Sequence, residues 1–268
     1  MNKLIIIAGP CVIESKENVM KIAEELRFLQ EDDRIEFYFK ASFDKANRTS
    51  LDSFRGPGLE DGLKVLQEVK DIFGYKVLTD VHESTQVKAV SKVVDVLQIP
   101  AFLCRQTDLL VECAKSNCVV NIKKGQFLAS ESMQHPVKKV LKTRGIDDIS
   151  YDISKKNNVW LCERGNVFGY GSLIVDYKNL ISMRNYAPVI FDATHSAQVP
   201  STGSTTGGNS AIVPSLARAA AAVGVDGFFF ETHFDPSIAL SDGPNMLNIA
   251  DLKKTIKEIF AIKDALKQ

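Results

Sequence analysis

The sequence predicts an α/β protein, a single (β/α)8 barrel of the TIM type running over residues 1–268, on three observations. Eight short apolar, β-rich runs alternate along the chain with amphipathic helical stretches. Parallel strands need a crossover that a helix ordinarily supplies, so repeated βα units imply a parallel sheet. Eight such units in about 250 residues suit a closed barrel better than an open doubly wound sheet. No GxGxxG follows the first run, which weakens a dinucleotide-binding alternative. Polar and charged residues also gather just where the apolar runs stop, and a parallel barrel brings its strand C-terminal ends to one mouth.

In chain order the expected strands are 3–8, 35–40, 75–80, 95–99, 118–123, 158–163, 188–193 and 227–232. Between the first two, Val19, Ile22, Ala23, Leu26 and Leu29 recur at helical spacing and share a face. Leu59, Leu63, Leu66 and Phe73 do the same before the third. Ser15 and Ser84 stand where a hydroxyl can cap a helix start. Gly74 and Gly224 fall where helices should end, since glycine accepts the positive φ found there. The stretch Pro200 to Ser210 is small and polar throughout, cannot bury a core, and reads as a mobile loop over the mouth.

The totals exclude several classes. With 33 basic and 33 acidic residues the formal net charge is zero, so no global field favours nucleic acid or an anionic membrane. No stretch approaches the roughly 20 apolar residues that span a bilayer, and the apolar start from Leu4 to Ala8 is too short for a secretory leader. The five cysteines are odd in number and show no CxxC spacing, which fits a cytoplasmic protein with reduced thiols.

The segments at the strand ends carry the chemistry. They are Ala8-Gly9-Pro10-Cys11, Lys40 to Arg48, Thr79-Asp80-Val81-His82, Asn121 to Lys124, Glu163-Arg164-Gly165, Asp192-Ala193-Thr194-His195 and Glu231-Thr232-His233. Lys40, Lys45, Arg48, Arg105, Lys123 and Arg164 all fall at or just beyond a strand end. Any one of them fits a solvated surface. Six at matching topological positions demand anions, because fixed like charges in one pocket raise one another's cost. Arginine offers a planar fork for phosphate or carboxylate and lysine a compact charge, so a phosphorylated or carboxylated small molecule is expected.

Cys11, His195 and Glu231 end the first, seventh and eighth strands, neighbours in a closed barrel, and Asp242 follows in the last loop. Thiolate, imidazole and carboxylates together suit zinc, iron, manganese or cobalt. The bland reading of Cys11 is a small packed hydrophobe. His82 and His233 are further candidates. His135 reads as surface, and Cys104, Cys113, Cys118 and Cys162 as filler in apolar or helical runs.

From end to end the chain resembles the 3-deoxy-D-manno-octulosonate 8-phosphate (KDO-8-phosphate) synthase family. The resemblance rests on Ala8-Gly9-Pro10-Cys11 with Glu14-Ser15, the run Phe43 to Thr49 and the run Gln98 to Asp108. It rests too on Lys123 to Phe127, Glu163-Arg164-Gly165, Asp192 to Ser196 and Glu231-Thr232-His233. It implies condensation of phosphoenolpyruvate with D-arabinose 5-phosphate and water, with release of phosphate, on the route to lipopolysaccharide. It implies that Lys45, Lys123 and Arg164 hold phosphoenolpyruvate, with Lys40, Gln98 and Ala101 lining that position. Asn47, Arg48 and Thr49 match the segment contacting the pentose phosphate. Asp80 and His82 lie near the pentose and join Lys45 and Lys123 as catalytic residues. Phe102 and Arg105 match residues that reach a neighbouring subunit's site, implying a homotetramer. The family divides into a class with a divalent metal held by Cys, His, Glu and Asp and a class with Asn in place of the Cys. Cys11, His195, Glu231 and Asp242 match the metal-dependent class. One departure is that Gly207-Gly208 is followed by Asn209-Ser210, where relatives carry basic residues.

Three other functions fit parts of the pattern. A 3-deoxy-arabino-heptulosonate 7-phosphate synthase would take erythrose 4-phosphate, but its kind carries Pro-Arg where this chain has Ala46-Asn47-Arg48. A metal-dependent barrel hydrolase would not need so many cations. A catalytically dead barrel binding phosphosugars would lack part of the set.

Overall fold

The computed structural model describes residues 3–169, 171–199 and 207–267. Its frame is eight parallel strands: β1 (Leu4–Gly9), β2 (Ile35–Lys40), β3 (Lys76–Asp80), β4 (Val96–Ile99), β5 (Val119–Lys123), β6 (Val159–Glu163), β7 (Val189–Asp192) and β8 (Gly227–His233). Each pairs with the next, and β8 pairs back on β1, with Ile5 opposite Gly227 and Gly9 opposite Glu231, so the sheet closes. Each expected strand forms within a residue or two of its expected bounds.

Closure puts one face of each strand inside and the other against the helices. Ile5, Ile7, Tyr38, Leu78, Val96, Trp160, Cys162, Ile190 and Phe229 fill the inside. Leu4, Ile6, Phe37, Phe39, Val77, Leu97, Ile122, Leu161, Phe228 and Phe230 face the helical layer. The inward positions change character along each strand. Two residues beyond the apolar filler, on the same face, come Lys40, Asp80, Gln98, Arg164, Asp192 and Glu231, and Lys123 follows Asn121 in the same way. The inside is therefore a packed plug at its base and a polar cup at its mouth.

Helix Lys16–Glu25 is capped by Ser15, whose hydroxyl accepts from the Asn18 N–H. It breaks at Leu26 and resumes as Arg27–Glu31, yet Val19, Ile22, Ala23, Leu26 and Leu29 are all buried, as their spacing requires. Helix Leu59–Phe73 ends at Gly74 in the left-handed conformation. The expected cap at Ser84 is corrected. Glu83 is the N-cap, and it exchanges side-chain to backbone bonds with Gln86 in a capping box, leaving Ser84 inside the helix.

Two small additions were not foreseen. Gln198–Val199 pairs antiparallel with Gly207–Gly208, and Leu247–Asn248 extends alongside Thr232 and His233. Of the loop expected over the mouth, residues 200–206 lie outside the described residues.

Candidate active site

The cup at the mouth opens into a cavity of about 880 Å³ whose walls include Lys40, Lys45, Asn47, Arg48, Thr49, Asp80, His82, Gln98, Ala101, Phe102, Lys123, Arg164, His195, Glu231 and Asp242. Of the residues expected at the site, Cys11 lies just beneath this wall and Arg105 stands apart, exposed to solvent.

Lys40 closes the floor. Its ammonium is buried and donates to Glu231 Oε1 at 2.6 Å, Cys11 O at 2.7 Å and Pro10 O at 3.1 Å, so it is fully engaged. Lys45 Nζ stands 3.8 Å from the same carboxylate oxygen. Burial works against the charge of Glu231, but Lys40, His195 and Lys45 hold its carboxyl well below the usual carboxylate range.

Lys123 extends inward to Asp192 Oδ2 at 2.6 Å and lies over the Phe229 ring. Arg164 donates through Nη2 to His195 O at 3.0 Å and Gln198 Oε1 at 2.5 Å, while its buried Nε has no partner. A guanidinium edge left unpaired beside a cavity is the arrangement an anion completes.

Across the cup, Arg48 donates from Nε to Phe54 O at 3.3 Å and from Nη2 to the Ser241 hydroxyl. Asp80 accepts from Ser42 Oγ and holds His82 Nε2 at 2.9 Å. Burial opposes charge on both, but the mutual hydrogen bond lowers the Asp80 carboxyl well below its ordinary value and raises the His82 imidazole. His82 Nδ1 is buried without a partner.

Beside Lys40, the ligand atoms of Cys11, Glu231 and Asp242 lie within 4.8 Å of one another. His195 Nε2 points at them, 3.4 Å from Asp242 Oδ2 and 3.6 Å from Glu231 Oε1. Its Nδ1 lies 2.8 Å from Asp192 Oδ2, so the carboxylate fixes the tautomer that leaves the Nε2 lone pair facing the cluster. Glu231 Oε2 and Asp242 Oδ1 are buried with no hydrogen-bond partner. Asp242 is held at φ 55°, a left-handed conformation rare outside glycine, which turns its carboxylate to the group. Burial, with Glu231, pushes the Cys11 thiol up to about 11. The donor set and its two orphaned oxygens fit a divalent cation, which would draw the proton from the thiol on binding.

Three residues of this arrangement had no role assigned from sequence. Asp192 orients both His195 and Lys123; its signal was the i, i+3 spacing to His195 across a strand end. Ser241 touches Cys11 Sγ at 2.8 Å, and Gln198 reaches Asp242. Neither had a signal of its own. His233 lies outside the cluster, buried beside Glu14 at 3.7 Å. His135 is exposed, and Cys104, Cys113, Cys118 and Cys162 are buried free thiols.

A closed parallel barrel whose mouth gathers cationic side chains beside a thiol, imidazole and carboxylate group is an enzyme framework for anionic substrates. The model of the DAHP synthetase I family matches residues 1–268, and the chain belongs to that family. A Campylobacter jejuni (serotype O:6) protein described as 2-dehydro-3-deoxyphosphooctonate aldolase is 62% identical over 269 residues, spanning 100% of this chain and 99% of its own. Proteins of the same description from Wolinella succinogenes and Helicobacter hepaticus are 60% and 59% identical over 262 residues, 97% of this chain in each case and 100% and 97% of theirs.

Proposed function

We infer that this protein is a 3-deoxy-8-phosphooctulonate synthase, the activity named for its relatives, joining phosphoenolpyruvate to D-arabinose 5-phosphate and water and releasing phosphate. The observation that carries it is the pair of separate cationic edges facing one cavity, Arg164 with Lys123 on one wall and Arg48 on another. Two phosphorylated substrates need two such places.

Lys45, Lys123 and Arg164 hold the phosphate and carboxylate of phosphoenolpyruvate over the floor made by Lys40, Gln98 and Ala101. Asn47, Arg48 and Thr49 hold the pentose phosphate, and Asp80 with His82 orients the pentose. Fixing both anions turns a two-body encounter into a local one, with effective molarities on the order of 10⁵ M or more. C3 of phosphoenolpyruvate then attacks the open-chain aldehyde, whose oxygen takes up a proton. Water adds at C2, and the resulting hemiketal phosphate collapses by C–O cleavage to release phosphate. The positive charge developing at C2 forms among Glu231, Asp192 and the substrate's own anions. A divalent metal held by Cys11, His195, Glu231 and Asp242 would supply Lewis acidity and orientation at the aldehyde or at the attacking water.

The whole chain serves as one barrel domain with one site at the strand C-terminal ends, working in the cytoplasm, where its phosphorylated substrates are kept. Among the described residues no helix is long and apolar enough to cross a membrane. Phe102 and Phe127, 57% and 59% exposed, rim the cavity beside Val167, and apolar surface so placed supports a homotetramer in which Phe102 and Arg105 reach the next subunit. The test is phosphate release from phosphoenolpyruvate with arabinose 5-phosphate, with erythrose 4-phosphate and with water alone. Release with the pentose only is expected. Release with erythrose 4-phosphate at an equal rate would favour the heptulosonate synthase instead, and release with water alone a hydrolase.

A further inference from the structure

The side chain of Gln198 lies between two groups of opposite charge. Its Oε1 accepts from Arg164 Nη2 at 2.5 Å, and its Nε2 donates to Asp242 Oδ2 at 3.1 Å. We propose that Gln198 is a positioning residue, a neutral spacer that keeps the Arg164 guanidinium from pairing with the Asp242 carboxylate and so leaves it available to an anion.

A guanidinium and a carboxylate in a cup of low polarisability attract strongly, and a bidentate pair would consume the arginine's fork. A primary amide presents an acceptor at one end and donors at the other with no net charge. The flanking charges set its orientation, oxygen to the cation and nitrogen to the anion. The spacer engages Nη2 of the guanidinium and Oδ2 of the carboxylate, one atom of each. Arg164 Nε and Asp242 Oδ1 remain buried and unpartnered.

The backbone holds Gln198 there from two sides. It follows the 3-10 turn His195–Ala197 directly, and its strand pairs with Gly207–Gly208. Asn245 Nδ2 donates to Gly207 O at 3.3 Å, tying that strand to the loop that bears Asp242. A Cβ on Gly208 would meet the Asn245 amide far inside contact distance, so glycine here lets that amide keep its place against the strand. The spacer is thus fixed between the loop carrying His195 and the loop carrying Asp242.

The inference rests on reading Arg164 as a holder of phosphoenolpyruvate, and its test separates the two. Phosphoenolpyruvate alone, and arabinose 5-phosphate alone, would be titrated calorimetrically into the full chain and into Gln198→Met, Gln198→Glu and Arg164→Ala. Gln198→Met keeps the length and loses both hydrogen bonds. The expected result is a phosphoenolpyruvate Kd raised roughly tenfold, the scale of a hydrogen bond to a charged group. Gln198→Glu should raise it further, because a carboxylate there neutralises the guanidinium while still accepting from it. In both variants the pentose Kd and the melting temperature should stay near the parent's. Parent-like phosphoenolpyruvate binding in Gln198→Glu, with binding lost in Arg164→Ala, overturns the spacer alone. Equal weakening of both substrates with a lowered melting temperature makes Gln198 merely structural and also overturns it. Parent-like binding in Arg164→Ala removes the reading of Arg164 and the spacer with it. Should Gln198→Met fail to fold, the near-isosteric Gln198→Glu decides.

Discussion

At the scale of single residues, Arg164 Nε, Glu231 Oε2 and Asp242 Oδ1 are buried without a hydrogen-bond partner. Arg48 and Arg164 face one cavity from different walls, so their loss should separate the substrates. Arg48→Ala is expected to weaken arabinose 5-phosphate binding by roughly 1.5–3 kcal/mol, a charge-assisted contact, and phosphoenolpyruvate binding far less. Arg164→Ala should show the opposite bias, and separate titrations of the two substrates measure it. Equal weakening by both variants would sink the assignment. The Asp80–His82 pair gives a pH signature. Burial disfavours the imidazolium, but the Asp80 hydrogen bond and charge raise the His82 pKa above its ordinary value. The stability this pair contributes is then fully present between about pH 4 and about pH 6.5, the unfolded carboxyl's and imidazole's ranges. It is lost as pH rises through the higher folded imidazole value and as pH falls through the lower folded carboxyl value. With Asp80→Asn the two largest raising influences are gone, leaving burial and Lys45 to lower and Asp44 alone to raise, so the His82 ring resonances should titrate well below the parent's in an NMR pH series. A titration unchanged from the parent would refute the pairing.

At the scale of elements, closure of the barrel depends on the seam where β8 meets β1. Gly227 sits opposite Ile5 there, and a Cβ added to it would lie 2.5 Å from Ile5 O and 2.8 Å from Ile190 Cδ1. The first of these is backbone in a closed sheet and cannot move alone. Gly227→Ala should therefore cost roughly 1–3 kcal/mol, as overpacking does, seen as a lower urea midpoint at an unchanged slope. The same seam positions Cys11 beyond β1 and Glu231 near the end of β8, so the variant's metal content is expected to fall with its stability. A midpoint equal to the parent's would show that the seam yields more easily than its geometry implies.

At the scale of the whole molecule, the apolar plug and helical layer account for the fold, and the polar cup sits above them. Removing metal with a chelator should abolish turnover and leave the far-ultraviolet circular dichroism unchanged, since neither hydrophobic cluster includes a proposed ligand. Manganese, cobalt or zinc should restore activity. Cys11→Asn replaces the softest ligand with an amide that binds metal poorly. It is expected to keep the fold, lose most bound metal and retain some turnover in chelator, because the amide hydrogen-bonds strongly where the parent's metal-free thiol does so only weakly, while Lys45, Lys123 and Arg164 still position the anions. Elemental analysis beside turnover checks this, and a Cys11→Asn protein holding metal as tightly as the parent would show that Cys11 is a packed cysteine only.

Periodicity in the chain was enough for the barrel and for the end of each strand at which chemistry gathers. Alternation along a strand and recurrence along a helix are local properties, and eight βα units have few ways to close. That Lys123 shares a face with Asn121, and Lys124 with Ile122, was readable for the same reason. Lys124 accordingly points outward to a buried pairing with Glu163 at 3.5 Å while Lys123 enters the cup. Which atoms meet across the mouth was not readable, because those contacts join residues far apart in sequence whose loops have no period. The tertiary structure alone decided that Lys40 spends its charge on Glu231, that Asp192 fixes the face His195 presents, that Arg105 stands outside the cavity, and that a glutamine separates Arg164 from Asp242. Each depends on distances of a few ångströms set by how the strands are staggered around the closed barrel, and a one-residue change of register would exchange the inward and outward faces.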